Sequence, residues 1–245
     1  MSERVQAEDL TRAEAMSLLA WWIEAGVDVA VQDEPRDWRV RASPPVVPAP
    51  EPLETLPTQP ARPTSGGTLP TTLDAFHAHL AESADLPLFR AGAARALPHG
   101  PAGADLMLLT GIPAPEDVAE GKPLGGPARK LVERMLHAVG LTPDQAYVAA
   151  LTCFSGTGTR FTDADSAACR DTVLAQIALA APKRLLLLGD QPAKLLLGQP
   201  YTTARGKLHR IAGVPTAVTF PPRHLLANNG HKALAWADLQ LIMGE

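Results

Sequence analysis

Two short runs, Leu106–Leu109 and Leu185–Leu188, are apolar at every position. A strand with one wet face alternates polar and apolar residues. A run with no polar position belongs to a strand buried on both faces, and such strands occur in parallel sheets held between two layers of helices. The neighbouring pattern agrees. Tyr147–Leu151 and the residues around Val218 have strand character, while Leu131–Val139, Val173–Ala181 and Leu234–Met243 repeat at helical spacing. Pro127 ahead of one helical stretch and Gly140 after it, then Pro192 behind Asp190 and Gly198 after Leu197, are start and stop signals in the right order. The sequence therefore predicts a three-layer α/β/α domain with a central parallel sheet of about four strands. Ligands of open sheets sit beyond the carboxyl ends of the strands, which directs attention to the loops after Leu109, Leu151, Leu188 and Phe220.

The rest of the chain leaves room for one such domain. Of the 24 prolines, nine fall between Pro44 and Pro70, so residues 43–71 read as an extended linker. Ahead of it, residues 1–42 contain Thr11 and Glu14 at capping-box spacing and Leu18, Leu19, Trp22 and Ile23 on one helical stripe. This helix packs on its own main domain or offers its Trp21–Trp22 pair to a protein partner. The main domain is 72–245. No run of about 20 apolar residues and no secretion signal is visible, so a cytoplasmic protein with no membrane role is expected. Two cysteines, Cys153 and Cys169, are too few for a disulfide framework. The net charge of -4 is carried by residues 1–71, which hold 11 acids against 6 bases, whereas 72–245 hold 16 bases against 15 acids. Acidity thus gives no argument against a nucleic-acid partner.

Chemistry-bearing residues collect in two of the indicated loops. After the first strand come Gly111, Ile112 and the carboxylate pair Glu116–Asp117, then Gly121-Lys-Pro-Leu-Gly. After the last strand come Pro221, Pro222, Arg223 and His224. Lys183–Arg210 contains six bases and one acid, and Arg205, Lys207 and Arg210 in it are the candidates for contacts with DNA phosphates.

Taken in order, Leu106-Met-Leu-Leu-Thr-Gly111, Glu116–Asp117 with Gly121-Lys-Pro123 and Gly125, Gly140–Leu141 with Tyr147–Val148, Pro182–Lys183, Leu188–Gly189, Arg205–Gly206, Thr219–Phe220, Pro222, Leu225–Leu226 and Lys232 resemble the uracil-DNA glycosylase superfamily, most closely its bacterial family-four type. The resemblance spans about 140 residues. It implies base-excision repair, a hydrolase acting on N-glycosidic bonds, and DNA as partner. It also implies departures at the residues that do the chemistry. Ile112 follows Gly111 where the family has a water-orienting carboxylate, Leu124 stands for the uracil-stacking Phe, Ala150 for the Asn that reads the uracil edge, and Pro221 for the His that donates to the leaving base. Gly111, Ile112, Leu124, Ala150 and Pro221 are accordingly the expected base pocket. Family-four members hold an iron–sulfur cluster on four Cys; here Ser83 and Leu86 occupy two of those places, so no metal and no cofactor are expected, and Cys153 and Cys169 become apolar fillers.

Three functions are consistent with this sequence. The first is a divergent glycosylase-like protein that keeps DNA contact and has lost uracil excision. The second is an active DNA glycosylase on another base, with Asp117, Glu116 or His224 as substitute catalytic groups. The third is a non-catalytic scaffold or interaction protein working through its N-terminal helix or linker.

Overall fold

The computed structural model describes residues 69–156 and 162–244. The expected N-terminal helix and nearly all of the linker lie outside the described residues. The strands are β1 (Leu106–Thr110), β2 (Ala146–Ala150), β3 (Leu185–Leu188), β4 (His209–Ile211) and β5 (Val214–Thr219), in the spatial order β2-β1-β3-β5-β4. The four longer ones run parallel, and β1 and β3 lie at the centre. Leu106–Leu109 and Leu185–Leu188 are all buried, as their unbroken apolar character requires.

Helices cover both faces. On one, α4 (Asp163–Ala180), α5 (Asp190–Leu197) and α6 (Tyr201–Ala204) pack Val173, Ile177, Ala193 and Ala204 against Met107, Leu109, Leu185, Leu187 and Val218. On the other, α3 (Pro127–Ala138) and α8 (Lys232–Met243) pack Val132, Leu136, Leu239 and Ile242 against Leu106, Leu108, Leu186, Leu188 and Ala217. The remaining helices are α1 (Leu73–Glu82), α2 (Pro115–Glu120) and α7 (Pro222–Ala227). The three-layer expectation is met.

The sheet has five strands, not about four, and the addition is antiparallel. β4 pairs His209 with Thr216 and Ile211 with Val214. Two features hid it: it is three residues long with a polar centre, and its turn is Ala212–Gly213, with φ of 49° and 82° in place of the usual Asn-Gly signal. At the opposite edge, His99 exchanges two backbone hydrogen bonds with Val148 of β2. Gly100 makes that approach possible, because a Cβ there would sit 2.3 Å from the Ala146 carbonyl oxygen.

Candidate functional site

The last rung of the parallel sheet runs Ala150, Thr110, Leu188, Thr219. The four residues lie on the face covered by α3 and α8, and the loops that follow them converge. Gly111 accepts a backbone hydrogen bond from Leu151 at 3.3 Å. Gly189 faces the Pro221 ring closely enough that a Cβ would meet its Cγ at 3.0 Å. Gln191, at the start of α5, reaches across to the first loop: its Oε1 accepts from the Ile112 N–H at 2.8 Å and lies where a Gly111 Cβ would point, at 2.0 Å. The Ile112 side chain lies against Gly156. Gly111, Ile112, Ala150 and Pro221 therefore all lie along the carboxyl end of the sheet. Together they offer two methyl-bearing side chains, a proline ring and an N–H already in use. The hydroxyl of Thr219 is fully buried and has no hydrogen-bond partner.

Leu124 is placed differently from an open stacking residue. Its backbone is left-handed, with φ 59°, a conformation costly for a leucine, and its side chain is buried under α3 against the sheet. The conformation is held by two carboxylates. Asp117 Oδ1 accepts from the Gly125 N–H at 2.6 Å, and Glu120 Oε1 accepts from the Gly126 N–H at 2.7 Å.

Asp117 is the centre of this knot and is 1% exposed. Its Oδ2 also accepts from the Ala114 N–H at 2.9 Å, which caps α2, and Arg223 of α7 donates to Oδ1 at 2.9 Å. The same guanidinium donates to Glu116 Oε2 at 2.9 Å, on the exposed side of the pair. Glu116 and Asp117 are thus a ligand set for Arg223, and Asp117 carries backbone N–H groups on both of its oxygens. The sequence reading gave Arg223 no role. Its partners are 106 and 107 residues away, so no local spacing announces it.

His224 lies in a stack with Phe220 and His231. The rings of Phe220 and His224 are 5.4 Å apart, and His224 Nε2 shares a hydrogen bond with His231 Nδ1 at 2.7 Å. Arg205 covers the same Phe220 ring at 3.9 Å and donates from Nε to Asp238 Oδ2 at 2.8 Å. Both charged groups are largely buried, 16% and 3% exposed. Arg205 is thus turned inward. Lys207 is exposed and precedes β4 on the carboxyl-end side of the sheet, while Arg210, opposite Pro215, lies towards the amino end. Of the other bases in that segment, Lys183 pairs with Asp105 at 2.6 Å and Lys194 pairs with Asp190.

The two thiols lie beside each other's electrostatic reach and away from water. Burial pushes both Cys153 and Cys169 up to about 12. Cys153 packs with Phe76, Leu80, Leu86, Leu88 and Phe154, and the gap left among Leu86, Cys153 and Gln176 is only about 10 Å³. Two cysteines with the buried Leu86 beside them, and so little free space, do not fit a four-thiolate iron–sulfur cluster, which needs four sulfur ligands and room for the metal core. Among the described residues no group of three or more His, Cys, Asp or Glu is placed to hold a metal ion, and no helix is long and apolar enough to cross a membrane.

The model of the uracil DNA glycosylase superfamily matches residues 97–240, more than half of the chain. That span takes in all five strands and every loop that meets at their carboxyl ends. The chain belongs to the uracil DNA glycosylase superfamily.

Proposed function

We propose that this protein is a DNA-associated member of the superfamily that no longer excises uracil. One observation carries the reading: Ile112, Ala150 and Pro221 stand along the carboxyl end of the parallel sheet, with Leu124 drawn beneath α3, and none of them supplies a polar side chain. Cleaving the bond between base and sugar requires a flipped base held by its edge and face, a donor for the negative charge on the departing base, and a placed water. A methyl group in place of an edge-reading amide and a proline in place of an oxyanion donor remove the first two. Proline lacks even a backbone N–H. Losing a single oxyanion donor costs roughly a hundred- to a thousandfold in rate, and here several groups that act as a unit are missing.

The candidate substitutes are occupied. Asp117 is buried under two backbone N–H groups and Arg223, Glu116 is paired with the same arginine, and His224 Nε2 faces His231. DNA association rests on membership of the superfamily and on the exposed Lys207 near the site end of the sheet.

Single-turnover assays on single- and double-stranded oligonucleotides test this, with uracil and a panel of other lesions and with abasic-site cleavage as readout. The expected result is background release of uracil together with weak DNA binding that falls steeply with salt. Robust uracil release overturns the proposal. Release of a different base replaces it with an active glycosylase of new specificity, and absence of binding at low salt replaces it with an interaction protein.

A further inference from the structure

In the helical layer formed by α3 and α8, two stripes of residues border one open hollow. The bank on α3 is Leu131, Arg134, Met135 and Ala138. The bank on α8 is Lys232, Ala235, Trp236 and Leu239. Both sets follow the spacing i, i+3, i+4, i+7, which lines up one face of a helix. The core-facing stripe of α3 is a different one, Ala128, Val132 and Leu136, so this helix carries apolar residues on a second side. Leu225 of α7, 1% exposed, lies in the hollow with Leu239 as a fully apolar floor. The hollow measures about 160 Å³. An apolar cavity of about 150 Å³ takes a benzene ring, so this one has room for a single bulky apolar side chain.

Exposure and charge supply the second observation. Among the described residues four large apolar side chains are exposed, and three of them, Leu226, Leu234 and Trp236, stand on α7 and α8. Apolar surface gathered in this way marks an interaction site more often than the same residues scattered singly. Arg134 and Lys232 are exposed, one on each bank, and among the described residues neither forms an ion pair. No carboxylate lines the hollow. Glu133 faces the other side of α3, beside Val132 and Leu136, and Asp238 of α8 is turned inward to Arg205. An apolar slot thus lies between two cations that nothing neutralises.

We propose that this groove docks an acidic amphipathic helix of another protein. One bulky apolar side chain of that helix fills the hollow against Leu225, Leu239 and Trp236, and carboxylates on its two flanks reach Arg134 and Lys232. A helix laid in a groove between two others is a recurring mode of recognition, and Trp and Arg are the residue types that most often dominate its energy. Charge complementarity selects the partner. A second copy of this chain, seated through the same face, would bring two Arg134 and two Lys232 side chains onto one patch with no carboxylate between them. DNA phosphates would suit the cations and leave the apolar floor in water. None of Gly111, Ile112, Ala150 and Pro221 lines the groove, so the inference stands whether or not uracil is excised.

The test is fluorescence titration of the full chain with three labelled synthetic helices of one design. Each has leucine or tryptophan at i, i+3, i+4 and i+7, and its flanking positions are all glutamate, all glutamine or all lysine. Saturable binding of the glutamate peptide is expected, with the glutamine peptide about tenfold weaker and the lysine peptide weaker still. Trp236→Ala should weaken the glutamate peptide by about tenfold. Arg134→Glu combined with Lys232→Glu alters only exposed side chains and should invert the order, so that the lysine peptide binds best. Should Trp236→Ala not fold, the charge-reversed variant decides alone. No saturable binding of the glutamate peptide, equal binding of all three, or an order unchanged by charge reversal overturns the proposal. Displacement of the bound peptide by a duplex oligonucleotide makes the two cations a DNA contact and also overturns it. A dimer of the free chain that the glutamate peptide dissociates makes the groove a contact between copies, with the same consequence.

Discussion

The two ends of the central sheet treat charge in opposite ways. At the carboxyl ends, Glu116, Asp117, Arg223, Arg205 and Asp238 are drawn into pairs that face one another and hold loops together. At the amino ends charge stays at the surface: Lys183, paired with Asp105, borders an open hollow of about 350 Å³ together with Arg184, Arg210 and Pro215. A count of bases along Lys183–Arg210 merges these two populations. In space the segment passes from the amino end at Lys183, through β3 to the carboxyl end, and back down β4 to Arg210. The lesson is that a positive stretch of sequence in an α/β fold is divided by each crossover, and only the half delivered to the site end bears on ligand binding.

The sharpest way to break the comparison is to remove the central carboxylate of the site end. Asp117→Ala deletes the acceptor for the Ala114 and Gly125 N–H groups and leaves Arg223 without its buried partner. A loss of about 4 kcal/mol in chemical denaturation is expected. Leu124 is the local reporter: freed from the Gly125 anchor it has no reason to stay left-handed, so backbone amide shifts over residues 122–126 should change together. A variant with wild-type stability would mean that the knot forms only weakly in solution.

Next in size is Arg205→Ala. It strands Asp238, 3% exposed, and uncovers the Phe220 ring. About 2–3 kcal/mol should be lost, and Arg205→Lys should restore only part of it, because an ammonium keeps the charge without the planar stack on the ring. At a temperature where the variant remains folded, its affinity for DNA should match the parent. A selective loss of DNA binding with unchanged stability would return Arg205 to the interface.

The fold was legible because its strongest signal is physical and local. Leu106–Leu109 and Leu185–Leu188 admit little other than doubly covered strands, and Pro127, Gly140 and Gly198 fixed where helices begin and end. β4 was not legible, since three residues around a polar arginine carry no period and an Ala–Gly turn carries no hairpin signature. The sequence pointed to Gly111, Ile112, Ala150 and Pro221, and the structure puts all four at the carboxyl end of the sheet. It offered Asp117 and Glu116 as substitute catalytic carboxylates and did not foresee their pairing, because that is decided by Arg223, which arrives from the far end of the chain on α7. Arg205, Lys207 and Arg210 looked alike in sequence. Burial against Phe220, exposure beside the carboxyl end, and a place towards the amino end separate them, and none of those is a property of composition.

A smaller effect comes from pH. Burial holds both His77 and His99 below the ordinary histidine value; Asp74 opposes this weakly for His77, and Lys122 and Arg129 reinforce it for His99. The unfolded chain takes up these protons near pH 6.5 and the folded chain only at lower pH, so stability should fall as pH drops through 6.5. Asp105 and Asp190 are held low by Lys183 and Lys194 and add their loss only in the acid range below the ordinary carboxylate value. On the alkaline side, Cys153 and Cys169 stay protonated up to about 12 while unfolded thiols ionise from about 8.5. Stability should therefore also decline above that point, and at pH 8 neither thiol should react with an alkylating probe until the protein is unfolded. Melting temperatures from pH 5 to 10 check both limbs; a curve flat from 7.5 to 5 would place the two imidazoles in water.

The smallest expected effect compares the two ends directly. Lys207→Ala and Lys183→Ala each remove one exposed charge, and neither should move the unfolding midpoint measurably, since exposed ion pairs contribute little. They should differ in DNA binding. A phosphate contact at the site end releases about one counterion, so Lys207→Ala should reduce the slope of log affinity against log salt by roughly one, while Lys183→Ala, at the amino end, should leave it unchanged. Filter binding or anisotropy between low and moderate salt measures both slopes on the same oligonucleotide. Equal loss from both would mean that DNA reaches around the sheet to the hollow at Arg184 and Arg210. A loss confined to Lys183→Ala would reverse the assignment of the two ends.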